Sequence, residues 1–322
     1  MDKNLTRREI AKVAEDYSLG QVRKTRVLDA GWVNHSYDVS TNKGNYIIQV
    51  LGSKYDDWKK NKMNMQFAVL SHLRKKGFPY EIPEPLTNSN QENISHFSRD
   101  RHLWVYKKIE GETVKGLNRL QFTEAMKGLA LFDRYAQDFK WPGEPKSLYF
   151  EWTLEGYRRL EKITPKNRTD RLVLKNLDLL NEYVANLKKI DFSQRVQLIQ
   201  GDFNDGNILF KGNKLVGVID FDNTEFAPLT KDVALACKRI KYPQHKIDDK
   251  KIPLYVKEYR KFGRFSKEDE KLMIPCLLLE DCTLVKWLYW HQEKHLNERY
   301  EAIADTIDQT KLLASWMGWR TK

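Results

Sequence analysis

A chain of 322 residues with 41% hydrophobic and 31% charged side chains has room for about two domains and lies far from the composition of a disordered chain. Three cysteines, Cys237, Cys276 and Cys282, are too few for a disulfide scaffold and lack the paired spacing of a zinc site, so reduced core thiols are expected. The net charge of +12 favours anionic partners such as nucleotides, phosphorylated metabolites or nucleic acid, but the basic residues are dispersed in pairs such as Lys59-Lys60 and Lys250-Lys251, the pattern of solvated helix faces.

The start, Met1-Asp2-Lys3-Asn4, has no apolar leader, and no run approaches the ~18 apolar residues of a membrane span, so a cytoplasmic address is expected. In chain order, Thr6 and Glu9 form a capping box ahead of Ile10, Val13, Ala14 and Tyr17, which fall at helical spacing before Gly20. Residues 22–27, 36–40 and 45–51 follow as antiparallel strands, with turn signals at Gly31 and at Asn42-Lys43-Gly44. From 57 to 76, Met63, Phe67, Leu70 and Leu73 mark one face of a helix that stops at Gly77. Pro79, Pro83 and Pro85 indicate irregular connection, and residues 102–109 form another strand running into Glu110-Gly111-Glu112. The lobe boundary is placed there, giving an N-terminal lobe, 1–110, and a C-terminal lobe, 111–322. Helices are expected at 119–135, 152–160 and 169–189. A strand-like island then covers 197–200, 207–210 and 215–221, with a hairpin turn at Lys211-Gly212-Asn213-Lys214, and helices continue to the end. No repeat and no low-complexity tract interrupts the pattern.

The chemistry is concentrated in that island. Asp202 is followed five residues later by Asn207, and Asp220 comes eighteen residues after Asp202, with a strand, a tight turn and a strand between Asn207 and Asp220. Phosphoryl transfer needs groups of this kind, because the protein's task there is to position reactants and neutralise charge. Asp202, in a loop, can accept the proton of an acceptor hydroxyl. Asn207 and Asp220 supply one neutral and one charged oxygen ligand for Mg²⁺ bridging the phosphates of a nucleotide.

Gly201-Asp202-x4-Asn207, with Ile219-Asp220-Phe221-Asp222 and Asp232-Val233-Ala234, resembles the aminoglycoside phosphotransferase superfamily, which includes aminoglycoside, choline, methylthioribose, N-acetylhexosamine and one type of homoserine kinase. The resemblance implies an α+β, two-lobed protein-kinase-like fold: an N-terminal antiparallel sheet with a helix, and a mainly helical C-terminal lobe. It implies ATP and Mg²⁺ as cofactors bound between the lobes, Asp202 as catalytic base, Asn207 and Asp220 as metal ligands, and Asp232 as a structural buttress of the loop. The turn Gly31-Trp32-Val33-Asn34-His35-Ser36-Tyr37 would cover the phosphates, and Trp104-Val105-Tyr106-Lys107-Lys108-Ile109 would form the hinge. The nucleotide-facing residues are therefore Gly31, Asn34, His35, Ser36, Gln49, Lys107 and Ile109. Acceptor-side candidates are Asp205 and Asp222 near the loop, and Glu280 and Asp281 if the acceptor is cationic.

Three positions depart from the family pattern. Gln49 stands where a phosphate-binding lysine is usual, Gln66 where its glutamate partner is usual, and Gln200 where a histidine precedes Gly-Asp. Loss of both members of an ion pair avoids an uncompensated charge, and an amide at 200 can hydrogen-bond to the same backbone as the histidine. Homoserine and N-acetylhexosamine kinases of the superfamily also lack the lysine, so the expected acceptors are a sugar, amino sugar, polyol or homoserine-like hydroxyl. The alternative is a catalytically degenerate pseudokinase acting as a nucleotide- or ligand-binding module; retention of Asp202, Asn207 and Asp220 favours catalysis. A nucleic-acid-binding reading, drawn from net charge and from Trp152, Trp287 and Trp290, has no motif to support it.

Overall fold

The computed structural model describes residues 4–28, 34–52, 55–98, 101–142, 150–244, 246–290 and 296–322. Its elements run α1 (Arg7–Asp16), β1 (Val22–Leu28), β2 (His35–Thr41), β3 (Asn45–Val50), α2 (Asp57–Lys75), β4 (Ser95–Ser98), β5 (Arg101–Lys107), α3 (Arg119–Ala136), α4 (Phe150–Leu160), α5 (Arg168–Leu187), β6 (Val196–Ile199), β7 (Ile208–Lys211), β8 (Lys214–Val218), β9 (Glu225–Pro228), α6 (Leu229–Arg239), α7 (Lys251–Tyr259), α8 (Lys267–Lys271), α9 (Met273–Trp290) and α10 (Leu296–Trp316). They divide into two compact units, residues 1–114 with 206–222, and residues 115–205 with 223–322.

The first unit is built on a five-stranded antiparallel sheet of order β1-β2-β3-β5-β4. The predicted capping box starts α1: the Glu9 N–H donates to Thr6 Oγ1 at 3.2 Å, and the Thr6 N–H donates to Glu9 Oε2 at 2.8 Å, so two of the free donors at the helix start are satisfied. The helix then buries Ile10, Val13 and Ala14 in one core with Tyr37, Val39, Ile48, Val50, Leu103 and Val105 of the sheet. The hairpin β7–β8 turns at Gly212, whose φ of +60° suits glycine. It joins this unit through backbone bonds: Glu81 N–H to Val216 O and Val218 N–H to Glu81 O, both 2.9 Å, and a reciprocal pair between Glu112 and Phe210.

The second unit is mainly helical. Asn118 and Gln121 form a capping box for α3, and Asn167 and Asp170 one for α5. β6 and β9 pair antiparallel, with Ile199 opposite Glu225, and α6 leaves β9 directly, buried without interruption from Leu229 to Cys237. All three cysteines are buried and free, as expected, and burial pushes the Cys237 and Cys276 thiols up to about 12. Among the described residues no helix is long and apolar enough to cross a membrane.

Two strands were not expected from the sequence. β4 is Ser-His-Phe-Ser, and β9 is Glu-Phe-Ala-Pro, four residues that include three types depleted in strands. Pairing with β5 and β6 decides both.

Candidate active site

In the second unit, β6 ends at Ile199 and the chain enters the loop that carries Asp202. Gly201 has φ +75°, and a Cβ there would lie 2.2 Å from the Asn223 carbonyl oxygen, so the loop requires glycine on two counts. Asp232, fully buried in the first turn of α6, accepts hydrogen bonds from the backbone N–H of Gln200 at 2.7 Å and of Gly201 at 2.9 Å. Burial pushes its carboxyl up to about 6, against the lowering effect of those two bonds. Gln200, also fully buried, accepts the Asp202 N–H on its Oε1 at 2.7 Å. The amide at the departing position thus holds the loop backbone.

The Asp202 carboxylate accepts from Asn204 Nδ2 at 2.8 Å and Arg239 Nη1 at 2.5 Å on Oδ1, and from Asn223 Nδ2 at 3.3 Å on Oδ2. It keeps 20% of its side chain exposed, which leaves it accessible to a second molecule. Arg239 also donates to the Gly201 carbonyl at 3.0 Å and, through Nη2, to Glu280 Oε1 at 2.6 Å. Burial works against its charge, but the Glu280 and Asp202 carboxylates outweigh burial and raise its pKa. Burial likewise opposes ionisation of Glu280, yet Arg239, Lys231 and Lys238 hold that carboxyl at about 2. Asp281 is fully buried and ion-paired with Lys238, and burial still pushes its pKa up. Of the acceptor-side candidates, Glu280 is therefore linked to Asp202 through Arg239, Asp281 sits in the interior on Lys238, and Asp205 has a buried Oδ2 without a hydrogen-bond partner.

In the first unit, the Ile219 N–H donates to the Asn207 carbonyl at 2.8 Å, which closes the base of the β7–β8 hairpin and places Asn207 and Asp220 at its two ends. Asp220 has φ +58°, a conformation uncommon outside glycine that concentrates at functional sites. Its Oδ1 accepts the Asp222 N–H at 3.3 Å. Asp222 Oδ2 accepts from Asn34 Nδ2 at 2.7 Å and lies 3.5 Å from Lys59 Nζ, while its Oδ1 is buried with no donor. Asn34 in turn accepts the Gly52 N–H at 3.0 Å. The hydroxyl of buried Tyr106 is raised first by burial and then by Asp220 and Asp222, a sign of concentrated negative charge.

The other nucleotide-side candidates scatter more widely. His35 and Ser36 lie in β2, with Ser36 opposite Gln49, and Gln49 is half-buried on β3. Lys107 ends β5 exposed, Ile109 packs over Gly217, and Gly31 lies outside the described residues. Gln66 is buried, and its Oε1 has no hydrogen-bond partner. Two residues that the sequence did not single out join these groups. Arg239 lies seven residues after Asp232 on α6, and Lys59 seven before Gln66 on α2; seven residues is two helical turns and returns to the same face, a signal that the sequence did contain.

The donor set fits magnesium. Asn207 and Asp220 carry hard oxygens, and Asp222, whose N–H donates to Asp220 Oδ1, has an orphaned Oδ1 of its own. Among the described residues no group of three or more His, Cys, Asp or Glu makes a protein-only cage. Mg²⁺ is commonly held by one or two carboxylates and completes its shell with phosphate oxygens and water.

Residues 24–259 match the phosphotransferase enzyme family. The chain belongs to this family. A comparison with curated protein sequences found no match. Among solved structures, the phosphotransferase is similar to an amicoumacin kinase in complex with AMP-PNP and Ca²⁺, with a TM-score of 0.72 and 16% identity over 97% of this chain and 94% of that one. A microcompartment-associated aminopropanol kinase gives a TM-score of 0.71 at 17% identity, covering 97% and 100% of the two chains. A spectinomycin phosphotransferase in complex with ADP and spectinomycin gives 0.67 at 13%, covering 96% and 98%. These likenesses are of fold, and the fold is the two-lobed, protein-kinase-like α+β architecture expected from the sequence.

Proposed function

We propose that this phosphotransferase is an ATP- and magnesium-dependent kinase that transfers the γ-phosphoryl group to a hydroxyl of a small molecule, with Asp202 as the catalytic base. The observation that carries the reading is the Asp202 carboxylate itself: accessible, fixed by Arg239, Asn204 and Asn223, and mounted on a loop whose backbone is tied by Asp232 and Gln200. A base held this way meets the acceptor without reorganising, which is where positioning contributes to rate. Asp202 takes the proton of the acceptor hydroxyl as its oxygen bonds to the γ-phosphorus, the bond from phosphorus to the bridging oxygen breaks, and ADP leaves. Asn207 and Asp220 would hold Mg²⁺, which neutralises charge on the phosphates.

The first unit, with Asn34, Asp220 and Asp222 drawn together, is assigned to the nucleotide, and the second, with Asp202, to the acceptor. The nearby folds named for aminopropanol, amicoumacin and spectinomycin support a small hydroxyl-bearing acceptor. Within the proposed range of sugar, amino sugar, polyol or homoserine-like compounds, Glu280 is the group that would meet an amine. The pseudokinase alternative loses one of its three supports, since Gln200 does hydrogen-bond the backbone of the catalytic loop.

The test is ADP release from MgATP across amino alcohols, homoserine, amino sugars, hexoses, polyols and aminoglycosides, with Asp202→Asn alongside. An acceptor that stimulates release in the wild type is expected to lose about 10²–10⁴-fold of that rate in the variant, while MgATP binding stays intact. Undiminished turnover in Asp202→Asn would remove Asp202 from the mechanism.

A further inference from the structure

We propose that Lys59, on the first turn of α2, supplies the positive charge for the nucleotide phosphates in place of the strand lysine that Gln49 lacks; this rests on reading the chain as an MgATP-dependent kinase. Lys59 is 6% exposed, and lysines are almost never buried to that degree unless paired. Its partner among the described residues is Asp222 Oδ2 at 3.5 Å, longer than the ~2.7–2.9 Å of a charge-assisted hydrogen bond. That oxygen already accepts a 2.7 Å bond from Asn34. An ammonium has three donors, so the pairing with Asp222 leaves Lys59 with donors to give to an anion.

The helix supplies no reason of its own for a cation here. Asp56 caps α2 by accepting the Lys59 N–H at 2.9 Å, which puts Lys59 at the positive end of the helix dipole, where acidic residues are the stabilising choice. A buried cation placed against that field points to a role outside the helix, and the same field adds to its attraction for phosphate. Two turns further along the same face, Gln66 is buried and neutral, so no carboxylate at the usual counter-ion position draws the charge away. Asp222, the residue that Lys59 does approach, donates its N–H to Asp220. The cation is therefore linked through Asp222 to the group proposed to hold the metal of the nucleotide, on a unit whose β3 presents only the neutral Gln49.

Calorimetric binding of MgATP, MgADP and adenosine to the full chain tests this, using Lys59→Met, Asp222→Asn and the double variant. Lys59→Met is expected to weaken MgATP and MgADP by about tenfold or more, the scale of one lost charged hydrogen bond, and to leave adenosine unchanged. A lysine serving only as counter-ion to Asp222 would make Lys59→Met harmless once Asp222→Asn is present. The proposal instead expects the double variant, in which neither buried charge is left alone, to bind MgATP about tenfold more weakly than Asp222→Asn. Equal MgATP affinity of wild type and Lys59→Met, or of Asp222→Asn and the double variant, overturns the assignment of Lys59 and leaves the kinase reading standing. A wild type that binds no MgATP brings down the kinase reading and this inference with it.

Discussion

Arg239 gathers three acceptors, Asp202 Oδ1, the Gly201 carbonyl and Glu280 Oε1, around one guanidinium. Its planar fork is suited to such a task, and a lysine would not serve as well. Arg239→Met takes the ion pair from Asp202 and the hydrogen-bonded cation from Glu280, which keeps only the longer-range charge of Lys231 and Lys238. Arg239 keeps 27% of its side chain exposed, so the loss should fall at the low end of what breaking a buried pair costs, about 3 kcal/mol, read by urea denaturation. Adding Glu280→Gln should recover part of that loss; a double variant no more stable than Arg239→Met would show that the Glu280 link contributes nothing. The candidate base and metal ligands were legible in the sequence because their chemistry depends on short fixed spacings. Arg239 was not, since Lys238-Arg239 looks like one more solvated basic pair, and only its distance of two helical turns from Asp232 sets it apart.

The loop that presents Asp202 owes its shape to a pair of very short strands. β6 ends one residue before Gln200, β9 begins two residues after Asn223, and their pairing brings Gly201 against the Asn223 backbone. Gly201→Ala would place a methyl 2.2 Å from a backbone oxygen at φ +75°, where no flexible side chain can yield. The expected result is a loss of about 1–3 kcal/mol of stability and turnover below one-tenth of wild type, even where the chain still folds and binds MgATP. Wild-type turnover in that variant would mean that the loop can relax without moving Asp202. Strong periodic signals such as the Thr6–Glu9 box of α1 and the Met63, Phe67, Leu70 and Leu73 stripe of α2 made the long elements readable. β9 escaped because its conformation comes from its partner rather than from Glu-Phe-Ala-Pro itself. The grouping of β7–β8 with the first unit escaped for the same reason, since it depends on backbone bonds to Glu81 and Glu112, far away in sequence.

The stability of the whole molecule collects buried carboxyls that pull in opposite directions with pH. Glu280, held at about 2 against an ordinary 4.5, contributes stability that is complete above about 4.5 and is lost as pH falls through about 2. Asp232, pushed from 3.8 to about 6, contributes in the other sense: its share is complete below about 3.8 and is lost as pH rises through about 6. Asp133 on α3, fully enclosed, is raised well above 3.8 by burial and by the neighbouring charge of Asp232. Its Oδ2 accepts the Tyr259 hydroxyl at 2.6 Å, and its Oδ1 finds no donor. A retained proton on Asp133 turns that orphaned oxygen from a second acceptor beside Asp232 into a donor. In the unfolded chain the same group ionises near 3.8, so each pH unit above that value, while the folded form keeps its proton, lowers stability by about 1.4 kcal/mol. Asp133→Asn mimics the protonated acid, keeps an acceptor for Tyr259 and cannot ionise. Urea denaturation should therefore find the variant close to wild type near pH 4 and increasingly the more stable of the two toward pH 7, by about 1–3 kcal/mol. Parallel stability profiles for the two proteins would place the proton elsewhere and leave Asp133 ionised beside Asp232.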